Sequence, residues 1–130
     1  MMEHWHIGLL AFVVMVIMAT VLERRGPRKI HDIDCKFRTG TVYHGDLDQS
    51  RWSDGRERVE MNLRNLPGEY SGPVRMIQNG QHVADFESAS GTIRFNWKGE
   101  ADGNNPLFEI GDEIVLELGP HRLTGVVKKD

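Results

Sequence analysis

From Trp5 to Leu22 the chain runs for eighteen residues without a Lys, Arg, Asp or Glu. Coiled as a helix, such a run is about 27 Å long, close to the ~30 Å hydrocarbon core of a bilayer. Glu23-Arg24-Arg25 and then Gly26-Pro27 follow at once. A core helix of a soluble domain is rarely followed by such a charged edge and helix stop. The sequence therefore predicts one transmembrane helix within residues 1–25. Trp5 would anchor one interface, and Arg24, Arg25, Arg28 and Lys29 the other. Met1-Met2-Glu3-His4 carries no Lys or Arg and no small-x-small site precedes Glu23, so a retained span is expected rather than a cleaved signal peptide.

Orientation follows from the flanks. With basic residues only after the helix, the positive-inside rule places the N-terminus in the periplasm and the rest of the chain in the cytoplasm, as a single-pass protein of the cell inner membrane. At 100° per residue, Gly8, Ala11, Met15, Met18 and Ala19 share one stripe of this helix. Small residues allow close helix approach and Met fills irregular gaps. The stripe is a candidate docking face for integral membrane subunits of a larger complex.

Past Gly26-Pro27 the period changes to two. After a basic linker over 26–32, Ile33, Cys35 and Phe37 alternate with Asp32, Asp34, Lys36 and Arg38. The same alternation recurs around Val59, Met61 and Leu63, around Ile93, Phe95 and Trp97, and around Ile114, Leu116 and Leu118. It is the pattern of strands with one buried face. Asn79-Gly80 is the strongest hairpin signal, and the mixed facing of His82 to Phe86 after it predicts a bulge. The polar stretch HGDLDQSRWSDGR, residues 44–56, is expected to be a long loop or hairpin. About seven strands result, with turn signals between them and no amphipathic helix. The expectation for 33–130 is a mainly β fold, an antiparallel β-sandwich or small barrel. Phe37, Phe86, Phe95, Trp97 and Phe108 are its expected core aromatics.

One pattern runs through Leu63-x-x-Leu66-Pro67-Gly68, Val74 and Met76, Asn79-Gly80, Gly91-x-Ile93-x-Phe95, Pro106-x-Phe108-x-x-Gly111-Asp112 and Leu123-Thr124-Gly125. It resembles small, mostly uncharacterised bacterial membrane-anchored β-sandwich proteins. The resemblance covers about half the chain and implies a sandwich-like fold without any known chemistry, because these positions are turn formers and core residues. By build alone the chain looks like the small extra subunits of bacterial photosynthetic reaction-centre and light-harvesting assemblies, with respiratory complexes as the next comparison.

Charge bounds the partners. Residues 23–38 carry six basic and three acidic side chains, whereas 39–130 carry ten and fifteen. The basic collar suits anionic lipid headgroups; the acidic remainder argues against a nucleic-acid partner. Cys35 is the sole cysteine, which excludes an intrachain disulfide. Its place between Ile33 and Phe37 suggests a small buried apolar residue, the other readings being a reactive thiol or a palmitoylation site.

Signatures of catalysis are missing from the sequence: there is no Gly-x-Ser-x-Gly elbow, no phosphate-binding Gly-rich loop and no His-Glu-x-x-His. His4 and His6 flank Trp5, and His31, His44, His82 and His121 stand singly without ligand spacing. Asp46-x-Asp48, Asp54 and Asp102-Gly103-Asn104-Asn105 do not complete a calcium loop and are expected as turn formers. No catalytic residue, cofactor or metal is assigned. Trp52 and Tyr70, large aromatics in polar surroundings, are candidate partner contacts. The expected function is that of a non-catalytic accessory subunit of a membrane complex, the alternative a membrane-tethered β-domain that binds a lipid, sugar or metal.

Overall fold

The structure, a computed structural model, describes residues 26–130. Trp5, the stripe Gly8, Ala11, Met15, Met18 and Ala19, and Arg24 and Arg25 lie outside the described residues. Among residues 26–130 no helix is long and apolar enough to cross a membrane.

Eight strands follow one another: β1 (Lys29–Thr39), β2 (Val42–Trp52), β3 (Arg56–Leu63), β4 (Gly72–Gln78), β5 (Gln81–Ser88), β6 (Ile93–Glu100), β7 (Glu113–Leu118) and β8 (His121–Lys129). They form one antiparallel sheet in the order β5-β4-β7-β8-β1-β2-β3-β6. The sheet curls until its outer strands β5 and β6 come together. There the bridge between Ala89 and Thr92 and an edge-to-face pair of Phe86 and Phe95, centroids 5.2 Å apart, nearly close a barrel. The antiparallel β expectation holds, as one continuous sheet of eight strands.

The eighth strand is β2, which occupies most of the stretch expected as a loop. Its inward positions are Gly45, Leu47, Gln49 and Arg51, only one of them a large apolar residue, so the period of two carries no hydrophobic signal. Pairing with both neighbours makes it a strand all the same, since β1 and β3 flank it along most of its length. Gly45 is the tightest point of this packing: it sits at φ +143°, and a Cβ there would overlap the Asn62 carbonyl. Opposite it, a shift in register after Phe37 leaves His44 as the extra residue of a bulge. The bulge expected in the return strand after Asn79-Gly80 is present, with Val83 skipped between the pairs Met76–Ala84 and Ile77–His82. At its other end β1 begins at Lys29, inside the stretch expected as linker.

Inward side chains fill the barrel. Ile33, Cys35 and Phe37 of β1, Leu47, Met61, Leu63, Met76, Ile114, Leu116 and Leu123 are all essentially inaccessible. Phe37 and Phe108 are wholly buried, while Phe86, Phe95 and Trp97 are half-buried against the core along the seam. Gly125 on β8 leaves room for Cys35, since a Cβ there would lie 2.7 Å from the thiol sulfur and 2.6 Å from the Lys36 carbonyl. Burial pushes the Cys35 thiol up to about 12, with the neighbouring Asp34 carboxylate adding to it. The cysteine is therefore a packed, unreactive residue.

The barrel has two ends. One holds the starts of β1 and β3 and the finishes of β2, β6 and β8; the other holds the turns at 40–41, 65–71, 89–92 and 119–120. The segment 101–112 folds across the first end and inserts Phe108 into the core. Gln49 holds it there from inside the barrel. Its Nε2 donates to the Pro106 carbonyl at 2.8 Å, and its Oε1 accepts from the Phe108 amide at 3.0 Å. At the rim, Asp112 accepts from the Gln78 amide at 2.7 Å and from Glu109 N–H at 2.9 Å, while Asn79 donates to its other oxygen. Replacing Gln49 by Leu keeps the volume and strands the Phe108 N–H and the Pro106 carbonyl. The expected loss is about 2–4 kcal/mol in urea unfolding, with early amide exchange confined to 101–112.

Candidate functional site

Side chains that leave the barrel along β1, β2, β3 and β6 line up in rows, because register partners in antiparallel strands share a face. Nearest the end at Lys29 stand Trp52 and Arg56, with Glu100 across from Arg56. Next come Ser50, Arg58 and Lys98, then Asp34, Asp48 and Glu60, then Lys36, Asp46 and Asn62. Asp32 shares the Ser50 row and Arg94 the Asn62 row, so the one row without a cation on these strands, Asp34, Asp48 and Glu60, lies between rows of mixed charge.

Asp34, Asp46 and Asp48 present carboxylate oxygens that all lie within 4.8 Å of one another. Asp34 faces Asp48 directly across the β1–β2 ladder, a like-charge pair that costs energy when both are ionised. Burial, then Asp46, Asp34, Asp130 and Glu60, push the Asp48 carboxyl up to about 7. Asp34 is raised too, first by burial and then by Asp46 and Asp130, with Lys36 pulling the other way. One Asp34 oxygen, Oδ1, is inaccessible and has no hydrogen-bond partner. Crowding and burial thus favour the protonated form of Asp34 and Asp48, and the three carboxylates have the oxygen chemistry of a hard cation ligand set. Neither Asp54, hydrogen-bonded to Arg56, nor Asp102, which caps its own turn through Asn104, joins the cluster. The expectation that Asp46 and Asp48 are turn formers gives way: both lie within β2.

At the Lys29 end Trp52 lies between two cations. The Lys29 ammonium is 5.7 Å from its ring centroid and the Arg56 guanidinium 5.2 Å. Beside it opens a cleft of about 500 Å³ lined by Trp52, Arg56, Arg58, Lys98 and Glu100. Glu57, also at its wall, is buried and engaged inward by Arg51 and by the Asn105 amide at 3.0 Å.

Tyr70 sits at the opposite end of the barrel from Trp52. Its hydroxyl donates to the Pro73 carbonyl at 2.7 Å, and its ring lies against Gly72 and Gly119. The two aromatics singled out in the sequence therefore do not share a surface. Arg28 and Lys29 do join Trp52: the Arg28 N–H donates to the Ser53 hydroxyl, and Lys29 stacks on the indole. The histidines stay apart, His31 with Gln49, His44 with Thr39 and the Arg64 carbonyl, His82 with Asp85.

Sequence reasoning missed Asp34 as the third carboxylate, and missed the pairing of Arg58 with Lys98. The alternation that sends Ile33, Cys35 and Phe37 inward already sends Asp34 outward, but only the register with β2 sets it against Asp48. No protein-family model matches the chain, and comparison with curated proteins and with solved structures finds no match.

Asp48 makes stability depend on pH. The folded carboxyl keeps its proton to about pH 7, while in the unfolded chain it releases it near 4, so stability falls as pH rises between those values. Urea unfolding at about pH 8 is expected to give a lower free energy than at about pH 5.5. Asp48→Asn should flatten that difference and stabilise the protein by about 1–2 kcal/mol at the higher pH, after allowance for solvent screening.

Proposed function

We propose that the chain is a single-span membrane protein whose barrel is held at the cytoplasmic surface as a non-catalytic accessory subunit of a larger integral membrane complex. The uncharged run from Trp5 to Leu22, with Arg24, Arg25, Arg28 and Lys29 directly after it, supports the span. The observation that carries the rest is the short tether. β1 begins at Lys29, seven residues past Leu22, and a fully extended chain of that length reaches about 25 Å. A barrel so tethered works beside the bilayer, where its loops and outer face meet neighbouring membrane subunits.

In this proposal Gly8, Ala11, Met15, Met18 and Ala19 form the face that packs against a helix of the host. Solubilisation in mild detergent followed by native electrophoresis tests it: the chain is expected to migrate with a large complex. Gly8→Leu with Ala11→Leu should release it at its own mass while leaving it membrane-bound. Migration of the unaltered chain near 15 kDa plus detergent would overturn the proposal.

A further inference from the structure

Arg58 and Lys98 are direct register partners on β3 and β6 and share the outer face. No carboxylate among the described residues lies within ion-pair distance of either. Like charges directly opposite in a sheet repel, and an arginine cannot relieve this by losing its proton. Both line the cleft beside Trp52. Two facing cations over an open, partly aromatic cleft are a stable arrangement when an anion from outside lies between them.

We infer that this end of the barrel is a docking surface for anionic membrane lipid, with a phosphate headgroup held between Arg58 and Lys98 and Trp52 placed at the headgroup level. The inference rests on the single-span proposal and deepens it, because the tether leaves this end of the barrel, and not the Tyr70 end, next to the bilayer. Glu60 and Asp48 stand one row farther along the same outer face, about 7 Å up the strands from Arg58. Trp52 has the amphipathic ring favoured at the interface, and its flanking cations Lys29 and Arg56 suit a negative surface. Asp54 pairs with Arg56 and Asp32 with Lys29, which leaves Arg58 and Lys98 for the lipid.

The test uses the full chain reconstituted into vesicles of phosphatidylcholine alone or with phosphatidylglycerol. A nitroxide is placed at Ala101→Cys, beside the cleft, or at Thr41→Cys, at the far end, both being exposed positions. Cys35 is buried and stays unlabelled. Collision with a nickel chelate carried on lipid headgroups is the readout. In anionic vesicles the label at 101 is expected to collide about fivefold more than the label at 41. Arg58→Glu with Lys98→Glu should reduce it to the level at 41, and raised salt should act in the same direction. Equal collision at 101 and 41, or a difference indifferent to phosphatidylglycerol and to the charge reversal, overturns the inference while the span stands. A chain that fails to float with either vesicle overturns the span itself.

Discussion

A narrow β-barrel has to satisfy polar backbone at its ends as well as fill its middle, and here one buried amide side chain carries much of that requirement. Gln49 uses its carbonyl and its amide on the same segment, accepting from Phe108 N–H and donating to Pro106. That pair of bonds lets an irregular stretch of chain cross the barrel mouth without stranding its peptide groups, and it brings Phe108 down as a stopper. The outer rim then closes around Asp112. Burial works against its ionisation, but hydrogen bonds from Glu109 N–H, Asn79 and Gln78 outweigh that and hold the carboxyl below the usual carboxylate range. Whatever stands at this end, Trp52 and its cleft included, stands on a surface those side chains make rigid.

Where apolar residues alternate, the strand was legible from the chain alone. β1, β3, β6 and β7 show it, and so does the hairpin at Asn79-Gly80, down to the bulge. β2 was not legible, because its inward positions after Leu47 are Gln49 and Arg51. Each serves a polar purpose, buried Gln49 to hold the plug and half-buried Arg51 to pair with Glu57. Binary patterning reads burial through hydrophobicity, so a strand whose inner face is polar and satisfied reads as a loop. That same error hid the outer face. With 44–56 expected only as a long loop or hairpin of unspecified pairing, Asp46 and Asp48 have no register and Trp52 has no neighbours. Once β2 is a strand, Asp48 meets Asp34, and Trp52 meets Arg56 and Lys29.

The outer face poses one electrostatic problem twice and answers it in two ways. Asp34 against Asp48 is a like-charge pair whose members can take up a proton, and the Asp48 carboxyl does so near neutrality, so the repulsion is relieved inside the molecule and shows as pH dependence. Opposite Lys98 the Arg58 guanidinium has no such recourse, since it keeps its charge at any pH a protein meets, and no described carboxylate lies within ion-pair distance of the two. Relief has to come from solvent ions or from a fixed anion. Among the sources of fixed anion, the single-span proposal selects a lipid surface, since Arg58 and Lys98 stand toward the end of the barrel at which β1 begins.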